Sequence, residues 1–222
     1  MSSSNDPNSK PTIYFGYGSN LWLSQMSQRC PTATYLGIAR LENYTWIIND
    51  RGYANVVENR NTTSTSTGAA DQDQDQAESN TPGVYGLVYA LQAEDEERLD
   101  KNEGVPIAYT KEHLNCDFWS AGPASPPLNS HKSINTTKPP TYARDMLVYI
   151  DRRRVEPDVP RKEYVYRMNR GVDDALKLGV PKEYVEKVMR PYIPAEEGDG
   201  EEEVGTFARA QARGFRDESG VF

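Results

Sequence analysis

The chain has 222 residues, of which 36% are hydrophobic, enough for one domain with a sizeable core and short for two. Its formal charge of −8 comes from two patches, Asp71, Asp73, Asp75 and Glu78 in one and Glu196, Glu197, Asp199, Glu201, Glu202 and Glu203 in the other; without these ten carboxylates the charge is +2, and no basic stripe suited to nucleic acid remains. No apolar run approaches the ~20 residues that cross a bilayer, and Met1–Asp6 lack the apolar stretch of a secretion signal, so the expectation is a cytoplasmic protein with no membrane partner.

In chain order, residues 1–11 read as a disordered arm. Ile13–Tyr17 reads as a short buried strand that breaks at Gly16-Tyr17-Gly18-Ser19-Asn20, where two glycines two apart allow backbone amides to approach a ligand closely. Trp22–Arg29 predicts a helix stopped by Pro31. Tyr35–Leu41, Tyr44–Asn49 and Tyr53–Val57 are rich in β-formers and predict three strands. Residues 59–81 are a Thr/Ser run followed by an Asp-Gln repeat, too polar to offset their ordering entropy, and read as a low-complexity insert.

The pattern resumes with a strand at Val84–Leu91, a short acidic helix at Ala93–Lys101 with Leu99 inward, and a strand at Ala108–Phe118. Residues 120–141, rich in Pro, Ser and Asn, read as a second insert; Met146–Ile150 is a strand. Pro181 opens a helix over Lys182–Arg190. The domain is placed at 12–194 and an acidic polar tail at 195–222, with one further helix around Phe207–Arg213. Irregularly spaced strands with few helices between them argue against a doubly wound sheet and for an α+β fold, a mixed, partly closed β-barrel with peripheral helices.

Cys30 and Cys116 make no disulfide framework and read as free thiols. The only histidines are His113 and His131, and no spacing resembles a zinc site, a Cys–His or Ser–His pair, or a phosphate loop. Fourteen tyrosines against five phenylalanines suit a polar cleft, although ordinary strand tyrosines account for most of them.

Tyr14-Phe15-Gly16-Tyr17-Gly18-Ser19-Asn20-Leu21 is the most informative segment. By itself it is a tight turn after a strand. Together with Gly83–Tyr89, with Leu99-Asp100-Lys101-Asn102-Glu103-Gly104-Val105, and with Pro160–Pro194, it resembles the gamma-glutamylcyclotransferase family. The resemblance covers most of the chain. It implies a small mixed β-barrel, a closing strand, loop and helix over 160–194, and a cofactor-free lyase that cyclises a gamma-glutamyl amino acid to 5-oxoproline. The expected partner is that small-molecule substrate, with a homodimer as the one protein partner considered.

The same resemblance makes Glu103 the general acid/base, where its bare position would read as a solvated helix end before a glycine stop. Tyr17, Gly18, Ser19 and Asn20 would hold the gamma-glutamyl group through loop amides suited to a carboxylate or oxyanion, with Tyr14, Phe15 and Gly16 along the wall. Tyr109 and Tyr164 are placed at the pocket, Tyr164 resembling a substrate-contacting tyrosine of the family. One further family tyrosine falls at Met146, with Tyr149 nearby. Two alternatives stand beside this reading. One is the same chemistry on glutathione, a glutathione adduct or a gamma-glutamylamine, against which Asn20 speaks because the glutathione branch carries Leu there. The other is a non-catalytic binding module.

Overall fold

A computed structural model describes residues 10–59, 83–122, 132–195 and 202–214. Seven strands and five helices follow in order: β1 Thr12–Gly16, α1 Leu23–Arg29, β2 Thr34–Leu41, β3 Tyr44–Ile48, β4 Ala54–Glu58, β5 Val84–Leu91, α2 Ala93–Glu103, β6 Thr110–Ser120, β7 Tyr142–Ile150, α3 Lys162–Leu178, α4 Lys182–Tyr184 and α5 Glu202–Arg213. A 3-10 turn at Ser19–Leu21 joins β1 to α1, and α4 runs on as a π-helical stretch over Val185–Met189.

Five strands close into a barrel in the order β1-β5-β2-β6-β7. Every neighbouring pair is antiparallel except β1 and β7, which meet in parallel at Tyr14 and Leu147. This is the mixed α+β barrel expected from the strand spacing. β5 is buried over Val84–Tyr89, with α2 and β3 packed against it in addition to its barrel neighbours β1 and β2. β3 and β4 form a separate hairpin in register from Tyr44–Glu58 to Ile48–Ala54.

The longest helix departs from the expectation of a closing strand within residues 160–194. From Lys162 the chain is helical for 17 residues. Tyr164, Met168, Val172, Ala175 and Leu178 are all buried at spacings of three and four, the signature of one helical face. Glu163 and Arg167 lie buried on the same helix, and these two charges interrupt the apolar stripe in the sequence. β7 also begins four residues before the expected Met146, its polar first half pairing with β6 as far as Phe118–Tyr142.

Ala195 and the stretch 202–214 fall in the segment read as a polar tail; within it α5 is a helix docked on α3 and α1, with Ala208 and Ala212 fully buried. Of the second insert, the part over 132–141 is tied down: Ile134 N–H donates to the Leu178 carbonyl at 2.7 Å, and Trp119 Nε1 to the Lys138 carbonyl at 2.8 Å. The first insert, the arm before Lys10 and the acidic run 196–201 lie outside the described residues. Cys30 and Cys116 are free thiols, both buried.

α2 carries Glu103 at its end, and Leu99 plugs the helix into the core with no exposed surface. Leu99→Ala should cost about 2–5 kcal/mol, read as a lower denaturant midpoint at unchanged slope.

Candidate active site

One end of the barrel opens into a cavity. Its walls come from the loop after β1 (Tyr17, Gly18, Ser19, Asn20), the end of α2 (Asn102, Glu103), and tyrosines of β1, β7 and α3 (Tyr14, Tyr149, Tyr164). Tyr109 and Ala54 complete it together with Tyr53, Arg29 and Arg167.

Glu103 reaches this cavity because α2 ends at it. Gly104 adopts the left-handed conformation (φ 65°), its N–H donates to the Lys101 carbonyl at 3.3 Å, and the Val105 N–H donates to the Asp100 carbonyl at 3.0 Å. This pair of bonds is a Schellman stop, for which glycine is the favoured residue. The helix-end reading of Glu103 is therefore correct, but the residue is half-buried rather than solvated. Its carboxylate accepts a hydrogen bond from Asn20 Nδ2 at 3.1 Å and faces the cavity interior. Burial pushes its pKa up, and the positive charges of Arg29, Arg51 and Arg167, with the Asn20 bond, only partly offset that rise.

Asn20 is saturated. Its Nδ2 also donates to Tyr14 Oη at 2.8 Å. Its Oδ1 accepts from Gln25 Nε2 at 2.8 Å and from Arg29 Nη1 at 3.2 Å, and its carbonyl accepts from Tyr89 Oη at 3.1 Å. Gln25 is bonded in turn to Ser19 Oγ and to Arg167, whose guanidinium forks onto Glu163 at 2.7 and 3.1 Å.

Tyr164 holds the opposite wall. Its hydroxyl accepts from two backbone N–H groups, Ser19 and Ala54, each at 3.2 Å. A Cβ on Gly18 would stand 2.8 Å from that hydroxyl, so glycine is what allows the approach. Burial pushes the Tyr164 hydroxyl up to about 12, with Arg167 and the two N–H groups pulling the other way. The hydroxyl therefore keeps its proton and can donate it in a hydrogen bond. This revises the expectation for the loop, because the Ser19 amide is spent on Tyr164.

Tyr14, Tyr17, Gly18, Ser19, Asn20, Glu103, Tyr109 and Tyr164 thus meet around one cavity. Phe15 and Gly16 do not line it. Successive side chains of a strand point to opposite faces, and Phe15, fully buried, lies against Gly86 and the ring of Tyr17 instead. Met146 is buried elsewhere in the core, whereas Tyr149 lines the cavity and donates to Asp100 Oδ1 at 2.6 Å. The sequence reading missed Arg29, Tyr53, Asn102 and Arg167. Only Arg167 had a signal there, a glutamate four residues earlier on what proves to be a helix. Among the described residues no group of three or more His, Cys, Asp and Glu could hold a metal ion, and no helix is long and apolar enough to cross a membrane.

No family model and no curated protein matches this chain. Solved structures do. One described as a gamma-glutamyl cyclotransferase is similar over 90% of this chain and 99% of its own, with 20% identity and a TM-score of 0.56. Another, an uncharacterized protein from Homo sapiens, covers the same shares at 20% identity with a TM-score of 0.57. The chain shares their fold.

The raised pKa of Glu103 has a consequence for stability. Between the ordinary glutamate value and the folded one, the native chain holds a proton that the unfolded chain releases, so stability falls as pH rises through that window. Glu103→Gln removes this dependence. The variant should melt above the wild type at neutral pH, and the gain should fade as pH falls toward about 4, as followed by thermal melts across pH.

Proposed function

We propose that this chain is a gamma-glutamylcyclotransferase, a lyase that converts a gamma-glutamyl amino acid to 5-oxoproline and the free amino acid. The observation that carries the reading is the Glu103 carboxylate, half-buried and held at 3.1 Å by the Asn20 side-chain amide of the glycine loop, in the same cavity as the tyrosine hydroxyls. The shared fold is consistent with it.

The reaction needs no nucleophile from the protein. The substrate's own α-nitrogen attacks its γ-carbonyl and closes a five-membered lactam, so the site must fold the substrate and relay two protons from that nitrogen to the departing one. Holding such a near-attack shape is worth ~7–11 kcal/mol. Glu103 takes a proton from the α-ammonium, the freed amine adds to the γ-carbonyl, and the tetrahedral intermediate collapses as Glu103 returns that proton to the departing nitrogen; the second proton, shed as the adding nitrogen becomes the lactam N–H, follows through the same carboxylate and leaves the released amine as its ammonium. The C–N bond of the ring forms, the γ-amide C–N bond breaks, and neither water nor a cofactor is consumed. A carboxyl of ordinary acidity is a weak base toward an amine near neutrality; burial moves Glu103 toward the range where it can accept and release a proton.

The oxyanion of the intermediate needs donors that stay protonated. Tyr164 fits that part, since its oxygen already accepts two N–H bonds and its remaining O–H is free to turn to the cavity. Tyr109, whose hydroxyl donates to the Ala54 carbonyl at 2.9 Å, braces the wall behind it.

The test is release of 5-oxoproline from a panel of gamma-glutamyl dipeptides, gamma-glutamylamines and glutathione by the purified protein. Glu103→Gln should lower kcat by roughly 10²–10⁴-fold with KM little changed. Tyr164→Phe should cost roughly 10²-fold in kcat. Full turnover by Glu103→Gln would refute the mechanism.

A further inference from the structure

α5 reaches the site through one side chain of another helix. Arg29 ends α1 and is only 4% exposed. Its Nε donates to the Ala212 carbonyl at 3.0 Å and its Nη2 to the Gln211 carbonyl at 2.9 Å. Both carbonyls belong to the last turn of α5, where helix carbonyls lack intrahelical donors and carry the negative end of the helix dipole. The third contact, from Nη1, goes to Asn20 Oδ1 at 3.2 Å, and Asn20 Nδ2 donates to Glu103.

We propose that α5 is a positioning element of the active site: its two terminal carbonyls seat Arg29, which orients Asn20 and through it the Glu103 carboxylate. This rests on the reading of Glu103 as the acid/base.

The packing is suited to that role. Ala208 and Ala212 are fully buried on α5, and side chains this small let the helix backbone come close enough for its carbonyls to meet α1. A guanidinium is required because one rigid fork must serve two carbonyls and an amide at once, which an ammonium cannot do in the same geometry. Burial and the neighbouring Arg167 together pull the Arg29 pKa down to about 10, so the α5 carbonyls lie where this desolvated cation is most in need of acceptors.

Several groups face Glu103: Arg29 from α1 and Cys30 just after it, Arg51 from the β3–β4 turn, Arg167 and Tyr164 from α3, Tyr14 from β1, Tyr17 from the glycine loop, Tyr109 ahead of β6 and Tyr149 from β7. Of these cations Arg29 donates to two α5 carbonyls. With α5 seated, Arg29 is shared between helix and amide. With α5 displaced, it is released to pair directly with Glu103.

The two ways of breaking the arrangement therefore move the acid limb of kcat/KM in opposite directions. In Arg29→Gln a cation is lost, Glu103 becomes harder to ionise, and the limb moves to higher pH. In Ala208→Glu, which wedges α5 off its seat while leaving the cavity residues intact, Arg29 collapses on Glu103 and the limb moves to lower pH. Both should lower kcat by roughly 10–10²-fold. Arg29→Lys restores the charge without the fork, so its limb should return toward the wild-type position while kcat stays low.

The measurement is 5-oxoproline release from a gamma-glutamyl dipeptide across pH by the full chain and the three variants. It is paired with 13C titration of the Glu103 carboxyl, which reads the coupling without turnover. A limb and a carboxyl titration unmoved in Arg29→Gln and Ala208→Glu, with kcat falling only with the folded fraction, would overturn the proposal. Should Ala208→Glu fail to fold, the Arg29 pair decides it: a displaced titration in Arg29→Gln that returns in Arg29→Lys supports it, and no displacement overturns it. Wild type that turns over no gamma-glutamyl compound would sink the functional reading alone, and the 13C titrations would still decide whether α5 seats the carboxylate.

Discussion

An arginine can only donate hydrogen bonds, and the site is built on that restriction. Arg167 donates to Gln25 Oε1, so the Gln25 Nε2 is turned the other way, to Ser19 Oγ and Asn20 Oδ1. Arg29 donates to the same Asn20 oxygen. With two donors on its oxygen, the Asn20 amide has one orientation left, and its Nδ2 must point at Tyr14 and Glu103. Two cations thus fix the polarity of two amides and deliver a donor, rather than an acceptor, to the carboxylate. Each group in the chain is satisfied by the next, and removing one leaves a buried polar atom stranded, at a cost of about 1–3 kcal/mol.

The barrel supplies the geometry for this network. β1 and α2 end at the same rim, β7 brings Tyr149 beside them, and α3 lies across the opening with Tyr164, Arg167 and Glu163 one turn apart. Away from the rim, α2 is tied to β6 by Lys111, which bridges Glu96 and Asp100, while Asp100 also accepts from Tyr149. These half-buried ion pairs fix the register of α2, so that its last two residues, Asn102 and Glu103, reach the cavity.

Much of this was legible in the chain itself. The glycine loop, the central strand and the Glu-Gly-Val stop are local patterns, and each keeps its meaning without knowledge of the fold. What escaped was set by long-range packing. Arg29 ends a short helix, a favourable place for a cation, and nothing near it in sequence tells that Gln211 and Ala212 supply its acceptors. The closing strand within 160–194 was carried over from the resemblance, whereas the buried spacing Tyr164, Met168, Val172, Ala175 and Leu178 is that of a helix. Phe15 and Gly16 were included by proximity to the loop, although strand alternation alone sends Phe15 to the other face. Tyr53 follows a tight turn whose direction is decided by the β3–β4 pairing rather than by its own neighbours.

The parallel contact of β1 with β7 gives every barrel strand a partner on both sides. β5 in particular is held in register by β1 and β2 independently of the segment that leads into it. The register of β5 is thus set by two ladders rather than by the length of chain between β4 and β5, and doubling the length of such a connection adds only about 0.6 kcal/mol of closure entropy.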